Sequence, residues 1–125
     1  MESALKLRSW AVATAVALTA LLLPAPGAVA QTQGRAAVPA CNGGSVCFWS
    51  GQNFHGSTWE WTARSGYRDM PPFLHDHVGS FVANTRACFI NWGPLEKRNV
   101  FSGDWRSRYL GDFGGRIDGV APGGC

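Results

Sequence analysis

From residue 41 onward, apolar residues come in short runs broken every few positions by Gly, Asn, Pro or Ser. No window repeats apolar residues at i, i+3, i+4 and i+7 over three turns, as an amphipathic helix requires. Runs rich in aromatic and β-branched residues between turn formers are strand signals instead. They predict strands at residues 45–49, 57–62, 79–83, 87–92, 99–102 and about 116–120. Thr58-Trp59-Glu60-Trp61-Thr62 alternates strictly, so Trp59 and Trp61 would face a core while Thr58, Glu60 and Thr62 face water. The expected fold class is all-β.

The start of the chain has a different pattern. Lys6 and Arg8 precede an uncharged, mostly apolar run from Trp10 to Leu23, and Pro24, Pro26 and Gly27 break it. Ala28-Val29-Ala30 then offers small residues for cleavage, so residues 1–30 read as a secretory signal peptide. A spanning helix needs roughly 20 apolar residues, more than this run supplies. Residues 31–40 are polar and small, a flexible arm. Residues 41–125 remain as one small domain, and a domain of that size is marginal without added support.

Cysteine supplies that support. All four cysteines, Cys41, Cys47, Cys88 and Cys125, follow the signal peptide. An even count in a small secreted domain reads as two disulfides, and of the three connectivities we favour Cys41–Cys47 with Cys88–Cys125. The first closes a short loop containing Gly43 and Gly44, and the second ties the chain end to a central strand. No CxxC pair is present, which argues against zinc. The formal charge is +3, with both signs interspersed. There is no basic stripe of the kind that tracks phosphate, so no nucleic-acid partner is expected. Lys97-Arg98, Arg106 and Arg108 read as solvated surface.

A faint internal repeat adds topology. Cys47-Phe48 recurs as Cys88-Phe89, Thr58-Trp59-Glu60-Trp61 falls at the offset of Asn99-Val100-Phe101-Ser102, and His77-Val78-Gly79-Ser80 is echoed by Arg116-Ile117-Asp118-Gly119. Two units of about forty residues, packed face to face, would bury both inner faces. Within the first unit, Phe48 and Phe54 flank a polar loop and Gly56 follows. This predicts a folded hairpin in which Phe54 returns onto Phe48, with Gly56 at φ > 0.

Phe48-Trp49-Ser50-Gly51-Gln52-Asn53-Phe54-His55-Gly56 resembles the folded-hairpin signature of βγ-crystallin Greek keys, with Ser80 placed as the serine of the fourth strand. The signal peptide, the Cys41–Phe48 motif (Cys41, Gly44, Ser45, Cys47, Phe48) and the hairpin together resemble secreted actinobacterial peptidase inhibitors of family I36, similar to the Streptomyces metalloproteinase inhibitor. Ser80-Phe81-Val82-Ala83-Asn84 and Asn91-Trp92-Gly93-Pro94 support this resemblance, which covers residues 41–103. It implies a compact Greek-key sandwich or barrel and a protease-facing loop in the second half. The corresponding stretch, residues 99–106, departs from the inhibitory pattern in lacking a bracing cysteine. The crystallin resemblance also implies a calcium motif. Only Asp76 and Ser80 of residues 75–80 fit it; His75 stands where an oxygen ligand belongs and Gly79 lacks a hydroxyl. Weak calcium binding or none is expected.

Other chemistry has less support. His75 and His77, with His55, lack the spacing of a metal motif. Ser80, His77 and Asp76 lie too close in sequence for a triad, and no GxSxG elbow exists, so no catalytic residues are expected and the protein is not read as an enzyme. Trp49, Trp59, Trp61, Trp92 and Trp105 could form a sugar platform, but aromatics in a small β domain usually fill its core. Trp105, next to Arg106, is the tryptophan expected at the surface and the candidate partner contact. The reading is therefore a secreted, monomeric inhibitor of an extracellular proteinase, free of the membrane after signal cleavage. Its rival is a crystallin-like structural or weakly calcium-binding module with no protease partner.

Overall fold

The structure, a computed structural model, describes residues 37–125. The signal-peptide assignment and residues 31–36 of the proposed arm lie outside the described residues. Among the described residues the strands are β1 (Ser45–Trp49), β2 (Thr58–Thr62), β3 (Arg68–Asp69), β4 (Ser80–Ala83), β5 (Ala87–Trp92), β6 (Leu95–Val100), β7 (Trp105–Arg106) and β8 (Gly119–Pro122). They form two four-stranded sheets, ordered β2-β1-β4-β7 and β3-β8-β5-β6, with antiparallel neighbours.

The repeat is visible in that order. Strands β1 to β4 and β5 to β8 form two Greek-key units with the same pairing pattern. Each unit keeps three strands in one sheet and lends its third to the other: β3 joins β8, and β7 joins β4. The apolar layer lies between the sheets. Phe48 and Phe89, equivalent in the two units, are both fully buried with ring centroids 5.5 Å apart. Phe81 meets Phe89 edge-on at 5.1 Å and Tyr109 at 4.9 Å. Trp61 is buried, and Trp59 packs against the core from a half-buried position, as the alternation in β2 predicts. Cys41 pairs with Cys47, and Cys88 with Cys125.

Several expectations need correction. The expected strand at 99–102 is the end of a longer strand, β6, and Phe101 and Ser102 lie in the turn after it. Val46 faces Trp61 in the first hairpin, and Ala87 faces Val100 in the second. Val100 is thus the counterpart of Trp61, not of Trp59. The register slips by two because the second hairpin closes through Gly93 and Pro94 alone, directly after the Trp92↔Leu95 pair. The last strand, expected from about residue 116, begins only at Gly119: Arg116 ends a 3₁₀ turn, Phe113–Arg116, capped by the Asp112 carboxylate accepting from the Phe113 N–H at 2.8 Å.

Candidate partner-binding surface

The folded hairpin is built from Trp49, not Phe48. Adjacent residues of a strand point to opposite faces. Phe48 turns inward, so Trp49 turns outward and meets Phe54 edge-on at 5.3 Å. Asn53 and Phe54 both adopt left-handed backbone, φ 57° and 61°, which is costly for a phenylalanine. Hydrogen bonds hold the pair there. The Phe54 N–H donates to Ser80 Oγ at 2.9 Å, Ser80 Oγ donates to the Gly51 carbonyl at 2.8 Å, and the Asn53 N–H donates to the Ser107 carbonyl at 2.6 Å. Gly56 has φ +92°, and a Cβ there would come 2.5 Å from Ser50 Oγ.

Ser80 is fully buried, so its loss leaves two backbone groups of the hairpin without a partner. Each such group costs about 1–3 kcal/mol. Ser80→Ala should therefore lower stability by about 2–3 kcal/mol. Urea titration followed by tryptophan fluorescence would measure it; a change within experimental error would mean that the hairpin does not depend on this serine.

Phe54 carries the hairpin over to the second half of the chain, with its ring 6.3 Å from that of Trp105. Trp49, Phe54 and Trp105 thus form an aromatic row outside the first sheet. Trp105 and Arg106 are β7, the edge strand of that sheet, and among the described residues pair only with Val82 and Phe81. The Ala83 N–H donates to the Asp104 carbonyl at 2.8 Å. Antiparallel alternation therefore turns the Trp105 N–H and C=O away from β4. The Trp105 side chain is 45% exposed, and Arg106 Nη1 donates to the Trp105 carbonyl at 2.8 Å.

The turn that leads into this edge lacks a disulfide but is braced in other ways. The Phe101 N–H donates to Asp104 Oδ2 at 2.8 Å, and the Asp104 N–H donates to the Phe101 carbonyl at 2.9 Å. The Gly103 N–H donates to the Ala83 carbonyl at 2.9 Å, with Gly103 at φ +100°. Ser102 Oγ donates to Asn84 Oδ1 at 3.2 Å. Phe101 stands 50% exposed, with the Arg86 guanidinium 5.0 Å from its ring centre. An apolar tip on a hydrogen-bonded frame results, beside an open hollow lined by residues 103–108.

The calcium-type positions do not form one site. Ser80 uses its hydroxyl on the hairpin, whereas Asp76 is exposed in the turn before β4. His75, Asp76 and Asp118 each place a ligand atom within 4.8 Å of the others. His75 Nε2 lies 3.2 Å from Asp118 Oδ1, and Nδ1 lies 3.5 Å from Asp76 Oδ2. His75 and His77 lie outside any strand.

Sequence reasoning ranked the tryptophans wrongly. Trp92 is 53% exposed, more than Trp105. It stands at the tip of the β5–β6 hairpin among Tyr67, Asp69, His75 and Asp118. These residues come from separate segments, so no local motif could have found them.

Residues 34–94 match peptidase inhibitor family I36. A gerABC family protein of Dictyostelium discoideum is 48% identical over 83 residues, which are 66% of this chain and 75% of that protein. A second gerABC family protein of that organism is 32% identical over 87 residues, 70% of this chain but 49% of the relative, so the chain spans about half of it. Spore germination protein 1, also from Dictyostelium discoideum, is 32% identical over 92 residues, covering 70% of this chain and 72% of that protein. A solved structure concerned with the evolution of the eye lens βγ-crystallin domain fold aligns with a TM-score of 0.52 at 17% identity, covering 68% of this chain and 91% of that one. That likeness is one of fold.

Proposed function

The chain belongs to the gerABC family and, through residues 34–94, to peptidase inhibitor family I36, and on that premise we propose that it is a secreted inhibitor that blocks the cleft of an extracellular metalloproteinase with the 101–106 turn and the β7 edge. The observation that carries this reading is the braced turn. An inhibitor gains affinity when its contact loop is already ordered, because less conformational freedom is lost on binding. Hydrogen bonds from Asp104, Gly103 and Ser102 supply that order where a disulfide is absent. Phe101 and Trp105 offer the exposed aromatic anchors that carry energy at interfaces, and the outward Trp105 backbone can pair with an extended segment. Two disulfides suit an oxidising, extracellular setting.

The test is inhibition of a thermolysin-type metalloproteinase, with a subtilisin-type serine proteinase in parallel, by the oxidised protein recovered from a secreting host. Stoichiometric inhibition of the metalloproteinase is expected. Trp105→Ala should weaken it at least tenfold, about 1.4 kcal/mol or more. Full activity of both enzymes in the presence of folded, oxidised protein at micromolar concentration would overturn the reading.

A further inference from the structure

We propose that the hollow around Trp92 is a carbohydrate-binding site for a neutral polysaccharide of pyranose rings with equatorial substituents, stacked on the indole. The site is independent of the β7 edge and of proteinase inhibition. The hollow is open to solvent and lined by Asp69, Met70, Pro72, His75, Trp92 and Asp118. Like small-ligand sites, it combines an apolar surface with a few fixed polar groups.

The indole is exposed yet tethered. Trp92 Nε1–H donates to the Tyr67 hydroxyl at 2.9 Å, and that hydroxyl donates to Asp69 Oδ1 at 2.6 Å. The Trp92 backbone N–H donates to Asp118 Oδ2 at 2.7 Å, and His75 Nε2 approaches Asp118 Oδ1 at 3.2 Å. Burial and the bond to Asp69 raise the Tyr67 hydroxyl above the usual phenol range, although the Trp92 N–H pulls the other way. The hydroxyl therefore stays protonated and remains a donor at neutral pH. An exposed aromatic fixed at its edge and its backbone loses little freedom when a ligand covers it.

The geometry also selects the ligand. Tyr67 meets Trp92 edge-on, at 6.1 Å and 64°, through the indole N–H. That contact uses the edge of the indole and leaves it as a platform, not one wall of a cage for a cation. The carboxylates of Asp69 and Asp118 already accept hydrogen bonds, so their charge is partly compensated and they suit the hydroxyls of a neutral sugar. Three carboxylates, Asp69, Asp76 and Asp118, around the rim disfavour a uronic acid or sulfated chain. A pyranose with equatorial substituents presents the needed flat C–H face and a hydroxyl rim.

The two units differ in just the way this site requires. Ser80 anchors the folded hairpin of the first unit, but its counterpart in the second is Gly119. A Cβ there would lie 2.3 Å from the Tyr67 hydroxyl oxygen. The second unit has exchanged a hairpin anchor for room beneath Tyr67.

Titration of the full oxidised protein with cellohexaose and with chitohexaose, followed by calorimetry and by the indole N–H signals in NMR, tests this. At least one should bind with a dissociation constant below about 1 mM and shift the Trp92 signal. Trp92→Ala should weaken binding at least tenfold, and Tyr67→Phe, which keeps the ring but frees the indole, several-fold. Trp105→Ala should leave the affinity unchanged. All three substituted residues are on the surface, and unchanged thermal midpoints would verify folding of the variants. No heat and no signal shift with either sugar at about 10 mM would overturn the proposal. So would binding that survives Trp92→Ala, or equally strong binding of choline.

Discussion

Alanine at Gly79 is expected to lower folding stability by at least about 3 kcal/mol, although it adds a single methyl group. The reason is a backbone crossing. A Cβ at residue 79 would lie 2.2 Å from the Gly51 carbonyl carbon, 2.4 Å from its oxygen and 2.7 Å from the Gln52 nitrogen. All three are main-chain atoms of the folded hairpin, so no side-chain rotation relieves the clash. Residue 79 cannot easily retreat. The Gly79 N–H donates to the Trp49 carbonyl at 2.9 Å, and the Tyr109 N–H donates to the Gly79 carbonyl at 2.8 Å. Ser80, the next residue, holds the same hairpin from below. At about 4–8 °C per kcal/mol for a domain of this size, the thermal midpoint should fall by about 12 °C or more. Gly43→Ala is the control, since nothing lies within 4 Å of a Cβ there, and it should change stability by less than about 0.5 kcal/mol. Equal midpoints for the two variants would show that the hairpin can slide away from β4.

Loss of the Cys88–Cys125 bridge should cost about 4 kcal/mol, and loss of Cys41–Cys47 about 2 kcal/mol, from the loop lengths alone. The bridges span sequence separations of 37 and 6, and a longer loop leaves more freedom to the unfolded chain once it is cut. Structure acts in the same direction. Cys88 lies on β5, 3% exposed, and the bridge fastens the segment that follows β8, the strand between β3 and β5. Without it, residues 123–125 keep the Cys125 N–H on Asn99 Oδ1 at 2.9 Å and the Gly123 N–H on the Arg86 carbonyl at 3.2 Å. Paired alanine variants compared in guanidinium titrations would rank the bridges. A larger loss for Cys41/Cys47 than for Cys88/Cys125 would contradict the loop-length account.

Strands β1, β2, β4 and β5 and the two-unit plan were legible in the sequence because they rest on local runs of aromatic and β-branched residues; β6, with mostly exposed polar residues, was legible only at its end. The bounds of β1 and β5 were read correctly, and Val46, Phe48 and Trp61 share the face that alternation gives them. The same alternation placed Trp49 outside and could have found its contact with Phe54; spacing drew attention to Phe48 instead. Strands β3 and β7 were missed for a deeper reason. Each has two residues, Arg68–Asp69 and Trp105–Arg106, and owes its conformation to a partner from the other unit. Nothing within two residues announces a ladder. The register of the second hairpin was readable in principle, since Gly93 and Pro94 mark a tight turn, yet the repeat offset hid it. The Trp92 hollow was not readable. Tyr67, Trp92 and Asp118 meet only after both sheets close.

Strand exchange between the units has a consequence for ancestry and assembly. Every neighbour that β3 or β7 has across the exchange belongs to the opposite repeat, and the two repeats are interchangeable in the pairing diagram. Two copies of a single forty-residue repeat, each lending its third strand to the other, would reproduce all eight strand positions without a covalent link. The architecture is that of a swapped homodimer written into one polypeptide, and duplication followed by fusion would turn a concentration-dependent pair into a permanent one. A fused pair leaves its halves free to differ, as these do at the equivalent positions Ser80 and Gly119.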